Sequence, residues 1–218
     1  LFWTRAAGRF AFASEVKALL ALAWVEDELD EGALPYYLAY GDIPGPRTLL
    51  RGIRKLPPAH GVRVAGDVRE PRRYWRLDWG PRKEAPSVED AVGRLRGLLG
   101  DAVERRLVAD VPLGAFLSGG IDSTLIVGLM RERVPGPLRT FSLGFADDPT
   151  YDETAYARVV ARRYGTEHTE FTVEAHAVEL VDEVVEAFDE PFGDSSAIPT
   201  YILSRLTREH VTVALTGD

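Results

Sequence analysis

The rhythm of apolar and polar positions changes part-way along the chain. Up to about residue 80 it consists of short alternating stretches broken by turns; from Ser87 onward, apolar runs of strand length alternate with segments of helical spacing. In the first part, LFWTRAAGRFAFAS predicts two strands around an Ala7-Gly8 turn. SEVKALLALA predicts a short helix with Ser14 as N-cap, and DEGALPYYLAYG another, closed by Gly41. Beyond the proline-rich GDIPGPRT, GVRVAGDVRE and RRYWRLDW predict a hairpin around Gly66 and Asp67. Residues 80–86, with two prolines, a glycine and charges, read as a linker.

Ser87 then opens a long helix, with Asp90 as capping-box partner and Val88, Val92, Leu95, Leu99 and Val103 at helical spacing. A regular alternation follows: strand 111–117, helix 122–133, strand 138–145, helix 151–165, strand 168–173 and helix 174–188. After a loop come helix 200–210 and strand 211–216. This pattern predicts an α/β fold, a doubly wound parallel sheet with helices on both faces, preceded by the end of a mostly-β domain. The domain boundaries expected are 1–79, a linker at 80–86, and 87–218.

Composition narrows the function. Hydrophobic residues make up 45% and charged residues 28% of the 218 residues, the balance of a globular protein. Apolar runs are shorter than a membrane span and no signal peptide opens the chain, so no membrane partner is expected and the cytosol is the default compartment. With 34 acidic against 26 basic residues the net charge is −8, which argues against nucleic acid as a partner. Cysteine is absent, which removes disulfides, thiolate metal sites and a thiol nucleophile. A chain that opens on Leu1 and closes on a turn at Gly217-Asp218 reads as a piece of a longer protein.

The densest chemistry lies in LGAFLSGGIDSTLIVGLM, residues 113–130. Here Ser118, Gly119, Gly120, Asp122 and Ser123 occupy one bend between the first strand of the alternating part and its helix. In parallel sheets ligands sit at the carboxyl ends of strands. Glycines let a ligand approach the backbone, and the unpaired N–H groups of a first helical turn favour an anion. Ser118 and Ser123 add hydroxyl donors. Asp122 would repel a bare phosphate, so it implies a cation, most simply Mg2+. The bend therefore points to a nucleotide polyphosphate with its metal. A plain tight turn, with Asp122 and Ser123 as ordinary helix-start residues, is the competing explanation. Gly-Lys-Ser and Gly-Lys-Thr do not occur, which excludes a Walker loop.

LSGGIDS resembles the Ser-Gly-Gly-x-Asp-Ser pyrophosphate loop of the N-type ATP pyrophosphatases. With VPLGAFLSGGIDST, TFSLGF, YDETAYARVVARRYGTEH, DEPFGDSSAIPTYILSR and VALTGD in order, the second part is similar to the synthetase domain of glutamine-hydrolysing asparagine synthetases. FASEVKALL, YLAYGDIPGPRTLLRGIRKLPPAH and RRYW resemble the end of that family's class II glutaminase domain. The resemblance implies an ATP pyrophosphatase (HUP-like) fold. It also implies ATP and Mg2+ as cofactors, and aspartate and glutamine or ammonia as small-molecule partners. It implies ATP phosphates held by Leu117, Ser118, Gly119, Gly120 and Ser123, with Asp122 on the metal-pyrophosphate. Leu143 matches the residue that meets adenosine, and Thr216 with Gly217 the pair that closes over the nucleotide. Asp218 matches an acidic position tied to the acyl-adenylate. A carboxylate would attack the α-phosphate of ATP, and ammonia would displace AMP. The family's glutamine-cleaving cysteine would precede Leu1, so the chain alone is expected to be inactive. A homodimer is compatible with this reading.

Two related readings stay open on sequence alone: an adenylating enzyme that makes a β-lactam, peptide or sugar-acid amide, and an inactive ATP-binding fragment. A sulfur-transferring tRNA enzyme would call for a basic surface and cysteines, which this chain lacks. The acidic run Asp147, Asp148, Asp152 and Glu153 reads as a solvated helix start ahead of a metal site, and His168 as a structural hydrogen-bonding residue. Asp189, Glu190 and Asp194 border the expected site or cap a helix. Trp3, Tyr36, Tyr37, Tyr74 and Trp75 read as core and interface aromatics.

Overall fold

The computed structural model describes residues 1–65, 67–68, 70–80, 85–146, 152–173 and 177–217. Asp218, Asp147, Asp148, His176 and Gly66 lie outside the described residues. The chain forms two compact units, Leu1–Pro81 with Glu179–Ala197, and Arg82–Val178 with Ile198–Asp218.

In the first unit, β1 (Phe2–Ala6) and β2 (Arg9–Ala13) pair antiparallel across the expected turn, with Ala7 and Gly8 both at positive φ. After β2 come α1 (Val16–Leu20) and α2 (Leu34–Tyr40), and β3 (Ile53–Lys55) joins the free edge of β1. Val16, Leu19 and Ile53 form the buried cluster between α1 and this sheet. Gly41 ends α2 in the left-handed conformation, φ 76°, as its position predicts. The expected hairpin resolves into two short antiparallel ladders. One joins β4 (His60–Gly61) to β7 (Arg72–Arg73), and the other joins β5 (Val64–Ala65) to β6 (Asp67–Val68). Trp3 is core, whereas Tyr74 and Trp75 are 77% and 58% exposed.

The second unit opens with α3 (Val88–Arg106), whose Asp90 N–H donates to the Ser87 hydroxyl at 3.1 Å. The alternation follows as β8 (Leu113–Phe116), α4 (Ile121–Arg133), β9 (Arg139–Phe145), α5 (Thr154–Tyr164) and β10 (Glu167–Val173). Then come α6 (Val181–Phe188), α7 (Ala197–Thr207) and β11 (Val213–Leu215). Four strands form one wholly parallel sheet in the order β10-β9-β8-β11. Ala115, Leu117 and Leu215 pack from the sheet against Val103 of α3, Val127 and Met130 of α4, and Ala157 and Ala161 of α5. Strand order reverses between β8 and β11, and a reversal of this kind leaves a crevice at the strands' carboxyl ends.

Two boundaries differ from expectation for identifiable reasons. α7 starts at Ala197, ahead of the expected residue 200, because Pro199 falls in its first turn, where proline is tolerated. Ser14 does not cap α1: the N-cap is Glu15, and no local side chain accepts from the turn. The Val16 N–H donates instead to Oδ2 of Asp189, at 2.7 Å. Asp189 belongs with α6 and its following loop, residues that pack with the first unit rather than with the sheet that precedes them in sequence.

Candidate active site

The bend after β8 sits at the reversal point of the sheet. Leu117 continues the ladder past the strand, its N–H donating to the Phe141 carbonyl at 2.8 Å, and the residue as a whole is 1% exposed. Its side chain is therefore core and does not face a ligand. The next residues turn sharply and hold one another. The Ser118 and Ser123 hydroxyls are 3.0 Å apart, the Gly120 N–H donates to Ser118 Oγ at 3.2 Å, and Ser123 Oγ donates to the Gly120 carbonyl at 3.3 Å. Gly120 is the N-cap of α4 and offers no side-chain cap to the helix. The unpaired N–H groups of that turn, with the positive end of the helix dipole, remain directed at solvent or ligand.

The two glycines do different things. Gly119 adopts φ +83°, and a Cβ there would stand 2.5 Å from Tyr156 Cβ and 2.7 Å from the Ala157 nitrogen. Its lack of a side chain is what lets the bend press on the first turn of α5, a packing requirement beside the expected approach of a ligand. Gly120 has ordinary extended dihedrals, and a Cβ there would meet only Ser118 Oγ, at 3.3 Å. Open space for a phosphate therefore lies over Gly120.

Across the crevice, Gly217 follows β11. A Cβ on it would lie 2.6 Å from the Ser123 nitrogen and 2.8 Å from the Asp122 carbonyl carbon. The segment after β11 and the first turn of α4 thus meet backbone to backbone. Asp122 is exposed on the first turn of α4, and Thr216 is exposed beside Gly217. Leu143 stands apart from this group, on β9 opposite Phe171 and on the sheet face away from Leu117.

Beneath α5 lies a polar layer that the sequence signalled only through His168. Its Nδ1 is 2.9 Å from Thr140 Oγ1 and its Nε2 3.2 Å from Ser142 Oγ; both hydroxyl residues are buried on β9. Burial pushes the His168 imidazole below its ordinary range, opposed by the nearby Glu170 carboxylate. Glu170 in turn pairs with Arg158 of α5 at 2.9 Å. Asp152 Oδ1 accepts from the Thr154 N–H at 2.9 Å, and bonding to Thr154 holds this carboxyl below the usual range. Asp152 is thus a helix-start residue. Among the described residues no group of three His, Cys, Asp or Glu side chains is arranged to hold a metal ion. Among them, too, no helix is long and apolar enough to cross a membrane. Asp189, Glu190 and Asp194 engage the first unit or their own loop, with Asp194 accepting from the Ser196 N–H at 2.8 Å.

Residues 94–218 match the profile of the asparagine synthase family. The chain belongs to that family. Residues 1–75 match a glutamine amidotransferase domain, an arrangement shared along the chain's length with several asparagine synthetases. Glutamine-hydrolysing asparagine synthetase 1 of Bacillus subtilis is 34% identical over 223 residues, covering all of this chain and 34% of that protein. A Methanocaldococcus jannaschii protein assigned as a glutamine-hydrolysing asparagine synthetase is 38% identical over 213 residues, 96% of this chain and 41% of that protein. A further B. subtilis relative, glutamine-hydrolysing asparagine synthetase 3, is 31% identical over 85% of this chain and 32% of its own length. This asparagine synthase family chain therefore spans well under half the length of these relatives.

Proposed function

We propose that the chain is part of a glutamine-hydrolysing asparagine synthetase, with residues 1–79 from its glutaminase domain and residues 87–218 from its ATP-using domain. The observation that carries this reading is the Ser118–Ser123 bend, whose unpaired N–H groups, hydroxyls and open Gly120 backbone converge at the reversal point of a parallel sheet. The family membership supports it.

The side-chain carboxylate of aspartate attacks the α-phosphorus of ATP, a P–O bond breaks, and pyrophosphate leaves carrying the electron pair. Ammonia then attacks the carbonyl of the acyl-adenylate, AMP departs, and a proton is lost to give asparagine. The chain's own part is to bind and orient. The first-turn N–H groups of α4, the open backbone at Gly120 and the Ser118 and Ser123 hydroxyls receive the leaving pyrophosphate. Gly217 holds β11 against that turn, and the family pattern assigns Thr216 to the nucleotide and Asp218 to the acyl-adenylate. The buried Leu117 side chain is core, and Leu143 is assigned to the adenosine by the family pattern alone.

The residues present fit Mg2+ in one way. Asp122 is an exposed carboxylate, and among the described residues no group of three His, Cys, Asp or Glu side chains gathers around it, so it suits a hard cation that keeps water and phosphate oxygens as other ligands. Bound there, the ion would neutralise charge on the departing pyrophosphate.

The test is formation of AMP and pyrophosphate by the complete encoded protein, supplied with ATP, Mg2+ and either ammonia or glutamine. AMP that depends on aspartate supports the proposal. AMP that forms only with another acid overturns the substrate, and no AMP with any acid overturns the adenylation.

A further inference from the structure

Two adjacent acidic residues in the loop after α6 are far more firmly held than a surface loop requires. Asp189, with φ 65°, ends α6 through its N–H to the Val185 carbonyl. A left-handed backbone at a residue with a Cβ persists only where its surroundings fix it. Here they do: its carboxylate is 7% exposed, accepts from the Val16 N–H at 2.7 Å and lies 3.2 Å from Lys17 Nζ. Lys17 also donates to the Glu186 carbonyl at 2.6 Å. Glu190 is 12% exposed and meets Lys55 Nζ at 2.9 Å, while Lys55 donates to the Ile43 carbonyl at 2.5 Å. Gly193 closes the set, its N–H donating to the Gly41 carbonyl at 2.7 Å. A Cβ on Gly193 would stand 3.0 Å from Gly41 Cα. Burying two carboxylates is costly unless each is paired: Asp189 meets Val16 and Lys17, and Glu190 meets Lys55 through Oε2, while its Oε1 is buried without a hydrogen-bond partner.

The two sides of this clamp belong to different functional regions. Lys17, Gly41 and Lys55 lie in the stretch that matches the glutamine amidotransferase domain, and Asp189, Glu190 and Gly193 in the stretch that matches asparagine synthase. From Gly193 the chain runs directly into α7 and β11, and Gly217, two residues beyond β11, lies against Ser123. We propose that Asp189 and Glu190 are positioning residues that couple glutamine cleavage to amide formation, by fixing onto the glutaminase part the start of the segment that closes the nucleotide site. The proposal rests on the function proposed above.

The test compares Glu190→Gln, Glu190→Asp and Asp189→Asn in the complete encoded protein. It measures glutamate released per AMP formed with glutamine as donor, alongside AMP formation with ammonia. The expected result is a glutamate-to-AMP ratio raised at least threefold in Glu190→Gln and Asp189→Asn, ammonia-dependent AMP formation within twofold of the unaltered protein, and Glu190→Asp returning the ratio most of the way. The two carboxylates are changed separately, so a variant that fails to fold leaves the other to decide. An unchanged ratio in folded variants overturns the coupling alone, as does an equal loss of AMP with both donors. No AMP from the unaltered protein overturns the underlying function, and the coupling with it.

Discussion

Gly217 and Ser123 touch through their backbones: a Cβ at 217 would lie 2.6 Å from the Ser123 nitrogen, too close for any side chain. The contact joins the segment after the last strand to the first turn of α4, the helix start that carries Asp122.

Gly217→Ala is therefore expected to displace that turn, because the two nearest obstructing atoms are backbone. ATP affinity should fall by about tenfold or more, equivalent to ~1.4 kcal/mol, read by calorimetric titration. Unchanged affinity would show that the contact is incidental to the nucleotide.

The two glycines of the bend should separate stability from binding. Gly119→Ala places a Cβ into the α5 backbone at positive φ and should cost roughly 2–4 kcal/mol in urea unfolding. Gly120→Ala meets only a hydroxyl that can rotate away, so unfolding should change by under about 1 kcal/mol while ATP affinity drops. The reverse pattern would contradict the assignment of the open space to Gly120.

Asp122→Asn should lower AMP formation on the order of a hundredfold in the complete protein, by analogy with the loss of one charge-stabilising group. Glutamine hydrolysis, assigned to the other region, should persist. AMP formation at the normal rate would remove Asp122 from the metal role.

Acid should loosen the second unit through His168. Burial keeps its imidazole below the ordinary 6.5, so below that pH the unfolded chain binds more protons than the native protein. The contribution is absent above 6.5, and stability falls as pH drops toward the lowered native value. Urea unfolding between about pH 7 and pH 5 should show this decline, and His168→Asn should flatten it. An identical slope in the variant would assign the pH dependence elsewhere.

Local signals read well in this chain, and distant ones did not. Ser87 with Asp90, Gly41 and Gly165 announced helix ends because their chemistry acts within a few residues. The parallel sheet followed from the alternation of periods, and the bend from residues adjacent in sequence. The α1 cap was misread because the acceptor is Asp189, far along the chain, and no rule of spacing reaches it. The packing demand on Gly119 is not legible in the sequence, because a glycine's neighbours in space, here Tyr156 and Ala157, are invisible in one dimension. The small residues Ala157 and Ala161, one turn apart on α5, were the available hint of a close approach.

The first unit is built from two stretches, 1–81 and 179–197, with most of the sheet's residues encoded between them. During synthesis its opening strands leave the ribosome early, while the carboxylate that caps α1 is still untranslated. At about 5–20 residues per second the wait is on the order of ten seconds. Through that interval the Val16 N–H and the Lys17 ammonium lack their later partners, whereas β8, α4, β9, α5 and β10 can already pair with one another. The first unit therefore receives the acceptor for its α1 cap only after three of the four strands of the parallel sheet have been made.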